Sequence, residues 1–158
     1  MVWLHGGAYI LGSGSAPVYD GSVLAASGDV IVVTINYRLS SFGFLDLSGL
    51  SSDDHPFDSN LALKDVLLAV QWVQDNIASF EGDPDQVTIF GQSAGAGLVT
   101  TLLAVPKAAG LFSRAIVESS PVSSVYGSDR AQKVAERFLA AVGVEDASEL
   151  RALRRYAP

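Results

Sequence analysis

Apolar positions along this chain fall into short runs with two different periods. Val2–His5 is a compact apolar run followed at once by glycines, the pattern of a buried strand entering a tight loop. Residues 29–37, DVIVVTINY, form a near-continuous β-branched run that predicts a central strand of a parallel sheet. Residues 86–90 and the neighbourhood of 113–119, containing RAIVES, predict two more strands, the last also short and buried. Between them the period changes. Leu63, Val66, Leu67, Val70, Val73 and Ile77 share one face of a helix predicted over 60–78, with Lys64, Gln71 and Asp75 on another. Ser59 or Asn60 stands where an N-cap belongs.

A helix is predicted from the glycines after residue 91 to about Ala104, ending near Pro106. Another spans 129–142, with Ala131, Val134, Ala135, Phe138, Leu139 and Val142 inward and Gly143 placed to end it. A last short helix over about 147–155 opens with Asp146 and Glu149 at capping-box spacing. Residues 38–59 are rich in Ser, Gly and Asp and read as one long loop, and GDPD at 82–85 is a turn. Strands alternating with helices predict an α/β fold with a mostly parallel sheet and helices on both faces. No repeat, linker or low-complexity tract divides the 158 residues.

Composition narrows the function. Nearly half the chain (49%) is hydrophobic and only 17% charged, against about 25% in ordinary domains. No apolar run approaches the roughly 18 residues of a membrane span, so the apolar residues serve many short buried segments. The net charge of −7 and the lack of a Lys/Arg cluster argue against nucleic acid as a partner. There is no cysteine, which excludes thiolate metal sites and fits a reducing compartment. MVWLHGG shows neither the basic nor the long apolar region of a signal peptide, and the balance favours the cytoplasm.

Chemistry concentrates at VTIFGQSAGAGLV, residues 87–99. Ser93 lies in Gly91-Gln92-Ser93-Ala94-Gly95, between a predicted strand and a predicted helix. The Gly-x-Ser-x-Gly pattern arises by chance in roughly one chain in twenty of this length. Its placement is far more specific: a strand-to-helix turn this tight exposes the serine hydroxyl at the carboxyl ends of the strands and excludes side chains at the flanking glycines. The following helix aims its first N–H groups at the same spot. Gly95 and Gly97 each cost a helix about 1 kcal/mol relative to alanine, a cost that fits close approach to the sheet.

HGGAY at 5–9 supplies the complementary half. Glycines after a strand let backbone N–H groups come close to a developing oxyanion, each worth about 3 kcal/mol in acyl transfer.

With both halves present the chain resembles the type B carboxylesterases, whose animal relatives include the cholinesterases. The resemblance rests on VWLHGGAY, the GS at 12–13, NYRLSSFGFL, ALKD, WVQDNIASFEGDPDQVTIFGQSAGA and GLFSRAI, in family order over nearly the whole chain. It implies an α/β-hydrolase fold, a carboxylic-ester substrate, a serine nucleophile at Ser93, and oxyanion-hole N–H groups from Gly7, Ala8 and Ala94. It implies no metal and no cofactor. Gln92, Ser40, Ala62, Val66 and Ser120 depart from the residues common there. Gln92 stands where Glu is usual, which removes a negative charge and reduces attraction for cationic substrates. Tyr9, Phe42 and Phe44 fit an acyl or alcohol pocket and fit ordinary core packing equally well.

The missing part is the base. In this fold the acid and histidine follow the serine in the chain. Both histidines, His5 and His55, precede Ser93. His5 belongs to the glycine loop and reads as a support for it; His55, in DDHPF, reads as solvated. The carboxylates after Ser93 (Glu118, Asp129, Glu136, Glu145, Asp146 and Glu149) all have plain readings as strand-end, cap or helix-surface residues. Residues 1–158 are therefore expected to be the central part of one carboxylesterase domain, truncated at both ends and lacking the catalytic acid and His. A catalytically inactive protein-binding relative, or a truncated product without function, are the alternatives.

Overall fold

The computed structural model describes residues 1–144 and 149–150. Four parallel strands form its sheet: β1 (Val2–Leu4), β2 (Val33–Thr34), β3 (Thr88–Gln92) and β4 (Arg114–Glu118), in the order β2-β1-β3-β4. Register decides the rest of the geometry. Leu4 lies opposite Gly91, and Gln92 opposite Glu118. The loop after β1 therefore begins beside the turn that ends β3, at the carboxyl edge of the sheet.

Among the described residues five α-helices accompany the strands: α1 (Ser22–Gly28), α2 (Ser40–Phe44), α3 (Leu61–Asn76), α4 (Ala94–Leu102) and α5 (Ser128–Val142). Val2, Leu4 and Ile89 alternate with Trp3 and Phe90 along β1 and β3. The first set is fully buried in one cluster with Val66, Val70 and Val73 of α3 and Val99 and Leu102 of α4. Trp3 turns to the opposite face, where its ring meets Phe90 and Tyr19 at 4.9 and 5.2 Å. A second small cluster joins Leu139 and Val144 to Leu50 and Phe57, tying the end of α5 to the segment before α3.

Several expectations need correction. Among the described residues the 29–37 run is an edge and not a central strand: only Val33–Thr34 pair, with β1 alone, so Ile31, Val32 and Val33 are half-buried. The strand at 114–118 exists, but Ile116 and Val117 are exposed because β3 is its only neighbour among the described residues. The third strand runs two residues later than expected. The segment 38–59 is not a continuous loop; it contains α2 and a 3₁₀ turn at Ser48–Leu50. α1 had no periodic signal. Neither Ser59 nor Asn60 caps α3 through its side chain: Asn60 takes a left-handed conformation (φ 53°) instead, and its carbonyl accepts the Lys64 N–H. On α5, Ala135 and Leu139 are buried as expected, whereas Val134 and Val142 are exposed by 46% and 37%. Gly143 does end α5, in the left-handed region (φ 75°), with its own N–H and that of Val144 closing on the Ala140 and Leu139 carbonyls. The helix expected over 147–155 lies outside the described residues but for 149–150.

Arg38 ties the segment after β2 to α3. Its guanidinium donates to both Asp65 carboxylate oxygens, at 2.8 and 2.7 Å, and its backbone N–H donates to the same group at 3.0 Å. The side-chain hydrogen bond from Arg38 holds the Asp65 carboxyl below its ordinary value, outweighing partial burial. A depressed carboxylate stabilises the fold above its unfolded pKa of about 3.9, and that contribution is lost as pH falls through the lower folded value. Asp65→Asn is expected to cost about 1 kcal/mol in urea denaturation at pH 7, the pair being partly solvent-screened. The difference from wild type should shrink in acid, below about pH 3.

Candidate active site

The sharpest local feature of the chain is Ser93. It sits between β3 and α4 with φ 55° and ψ −122°, a conformation that an L-residue adopts only at a cost of about 1–3 kcal/mol. Its neighbours hold it there. The Ser93 N–H donates to the Glu118 carbonyl across to β4 (2.9 Å), and its carbonyl accepts the Gly97 N–H of α4 (2.9 Å). Its hydroxyl makes no hydrogen bond among the described residues. The flanking glycines are obligatory for space. A Cβ on Gly91 would stand 2.8 Å from the Leu4 carbonyl oxygen. One on Gly95 would overlap that same oxygen and reach 2.7 Å from the His5 carbonyl oxygen. The expected close approach of α4 to the sheet is thus real at Gly95. Gly97 instead makes room for the Tyr9 hydroxyl.

The glycine loop lies directly against this turn. A Cβ on Gly6 would be 3.0 Å from the Gln92 carbonyl oxygen and 3.4 Å from Ser93 Cβ. Gly7, Ala8 and Tyr9 all have positive φ (124°, 55° and 65°), so the loop curls, and Gly7 closes it by accepting the Ile10 and Leu11 N–H groups. The N–H groups of Gly7, Ala8 and Ala94 have no acceptor among the described residues. Ala94 opens α4, so the positive end of that helix adds to the same region. Gln92 is exposed at the end of β3 and brings no charge to it.

His5 is fully buried beneath the loop. Its Nδ1–H donates to the Gly6 carbonyl (2.7 Å), which fixes the tautomer, and its ring stacks on Tyr37 with centroids 4.5 Å apart. Its Nε2 has no partner among the described residues. Gly12 matters here: a Cβ at that position would lie 2.5 Å from His5 Nδ1. Tyr37 completes the support by donating its hydroxyl to the His5 carbonyl at 2.6 Å, and burial raises its phenol well above the ordinary range. Sequence reasoning did not single out Tyr37. Its signals were its place at the end of a β-branched run and within NYRLSSFGFL, neither of which gives it a role. Tyr37→Phe would leave a buried carbonyl unsatisfied and is expected to cost about 1–3 kcal/mol, read as a lower urea midpoint at unchanged slope.

Ser40, standing where the family commonly has Gly, takes φ 55° and donates its N–H to the Tyr9 carbonyl at 2.7 Å. Ser40→Gly should therefore stabilise the chain by about 1 kcal/mol, measured as a higher urea midpoint.

The other candidates scatter. His55 is half-buried rather than solvated, and its Nδ1 is shielded without a partner among the described residues. Neither histidine is hydrogen-bonded to Ser93. Glu118 contributes its backbone carbonyl, Asp129 lies in the first turn of α5, Glu136 accepts from Gln132, and Glu149 is exposed. Glu145 and Asp146 lie outside the described residues. Of the three aromatics, Tyr9 and Phe44 meet at 4.8 Å and border a cleft, whereas Phe42 points away, 77% exposed. Among the described residues no cluster of His, Asp and Glu could hold a metal ion, and no helix is long and apolar enough to cross a membrane.

A family model described as the carboxylesterase family matches residues 1–156. The chain belongs to the carboxylesterase family. It is 51% identical over 146 residues to the para-nitrobenzyl esterase of Bacillus subtilis (strain 168), covering 92% of this chain and 29% of that protein. It is 45% identical over 152 residues to the acetylcholinesterase of Electrophorus electricus, covering 94% of this chain and 23% of that protein. Among solved structures, the Geobacillus stearothermophilus carboxylesterase EST55 superposes with a TM-score of 0.89 at 46% identity, over 96% of this chain and 33% of that one. The Manduca sexta juvenile hormone esterase gives 0.84 at 36% identity, over 99% and 29%. The chain thus spans about a third or less of the length of these carboxylesterase relatives, and its sheet is that of the α/β-hydrolase fold they share.

Proposed function

We propose that this carboxylesterase chain carries the nucleophile and oxyanion hole of a carboxylic-ester hydrolase, with Ser93 as nucleophile. The observation that carries the reading is the left-handed Ser93 backbone set against the Gly6–Tyr9 loop, so close that a Cβ added at Gly6 would lie 3.4 Å from Ser93 Cβ. Ser93 Oγ forms a bond to the ester carbonyl carbon as its proton passes to a base. The carbonyl oxygen, now negative, accepts hydrogen bonds from the Gly7, Ala8 and Ala94 N–H groups. The C–O bond to the alcohol then breaks, the alcohol leaves with the proton, and water releases the acid from the acyl-serine. The sequence uses no metal and no cofactor.

Among the described residues no base reaches Ser93. His5 is committed to the Gly6 carbonyl, His55 has no contact with Ser93, and no histidine follows the serine. On this reading a complete domain of the relatives' length supplies the base and its orienting acid. The test is hydrolysis of p-nitrophenyl acetate by the purified chain beside Ser93→Ala. Indistinguishable rates are expected. Strong turnover that disappears in Ser93→Ala would place a working base inside the chain and overturn this part of the reading.

A further inference from the structure

A cleft of about 400 Å³ is bordered by Tyr9, Phe44 at the end of α2, Leu98 on α4, Tyr126, and Arg130 and Val134 on α5. The size is at the lower end of small-ligand sites, ~300–1,000 Å³. Its wall is mostly aromatic and aliphatic, but one cation is built into it. The Arg130 guanidinium lies over the Tyr126 ring, 3.7 Å from the centroid, and forms no ion pair with a carboxylate among the described residues. The other charged group at the cleft is Asp46, one of whose oxygens is already taken by the Ser48 N–H and hydroxyl at 2.9 and 2.6 Å. A cation stacked on an aromatic ring keeps its outer N–H donors available to a planar anion. We propose that this cleft binds a small amphipathic carboxylate, its apolar body between Tyr9, Phe44 and Leu98 and its carboxylate on Arg130.

The cleft is physically continuous with the candidate oxyanion loop. Tyr9 follows Ala8 directly, and its hydroxyl rests against Gly97, one turn after Ser93. A ligand pressing on Tyr9 acts on the backbone that carries the Ala8 N–H. The acid released by ester hydrolysis belongs to the class of ligand this cleft fits, and to that extent the role as a product site rests on the proposed function. The binding site itself does not.

The experiment is isothermal titration calorimetry of the purified chain and of its Ser93→Ala variant with 4-phenylbutyrate and, separately, 4-phenylbutan-1-ol. Expected are one-to-one binding of the carboxylate by both proteins and at least tenfold weaker binding of the alcohol. Arg130→Gln should reduce carboxylate affinity to that of the alcohol, and Ala131→Trp, which fills the cleft, should abolish both. Equal affinity for acid and alcohol in the unaltered chain would overturn the proposal, as would no binding at millimolar ligand. The comparison needs no variant to fold. Carboxylate binding that persists while Ser93→Ala leaves turnover of the complete grafted domain unchanged would overturn the esterase reading alone.

Discussion

Ser93→Ala is expected to lower kcat for p-nitrophenyl acetate by about 10⁴-fold or more when this chain stands in a complete domain. Such a domain can be built by grafting the chain in place of the matching segment of the Bacillus subtilis para-nitrobenzyl esterase, 51% identical to it. The host then supplies the remaining strands and the residues after the nucleophile. The size of the effect follows from the proposed mechanism. Alanine keeps the loop, the helix end and the binding surface, so stabilisation of a bound oxyanion persists. It removes the atom that forms the acyl bond, and water attacking in its place is far slower. The loss should fall on kcat rather than KM, because Ser93 contributes a bond made only along the reaction path. A loss below tenfold would mean that another residue attacks the ester.

Gly95→Ala should have the largest effect on folding. In an ordinary helix this exchange would gain about 1 kcal/mol. Here the added methyl would overlap the Leu4 carbonyl oxygen and crowd the His5 carbonyl oxygen at 2.7 Å. Both are backbone atoms at the end of β1 and cannot rotate aside. Either α4 lifts from the sheet, opening the core around Leu4 and Val99, or β1 shifts and carries the glycine loop away from Ser93. We expect a loss of about 3 kcal/mol, seen as a lower urea midpoint, which is a large part of the ~5–15 kcal/mol stability of a typical domain. A midpoint at or above that of the wild type would show that α4 does not lie this close to β1.

What could be read from the sequence follows the physics of each signal. Period and turn chemistry located β1, β3, α3 and α5, because burial of a whole face imposes a repeat. Gly91, Ser93 and Gly95 were legible because a strand-to-helix turn this tight tolerates few residues. Gly6 and Gly7 were legible for a related reason: close backbone approach needs glycine. Burial at the sheet edges was not legible. The β-branched runs of β2 and β4 look the same whether one neighbour pairs with them or two. α1 and α2 are too short to show a period. The left-handed residues Ala8, Tyr9 and Ser40 carry no signal in their side chains, and the hydrogen bonds and packing around them impose that conformation; Asn60 belongs to a residue type that favours it, but its place before a helix equally suits a cap. The Tyr37–His5 bond joins positions 32 residues apart and needs the register of β1 against β2 to exist.

The central claim is that Ser93, held at the turn after β3 and facing the glycine loop, is the group that attacks. The most direct measurement is peptide mapping by mass spectrometry of the grafted protein after inactivation with diisopropyl fluorophosphate. One phosphoryl adduct on the peptide containing Gly91–Gly95, localised to Ser93, is expected to appear in step with the loss of esterase activity. Inactivation with the adduct on a different residue, or full activity retained in protein whose Ser93 is fully modified, would contradict the assignment.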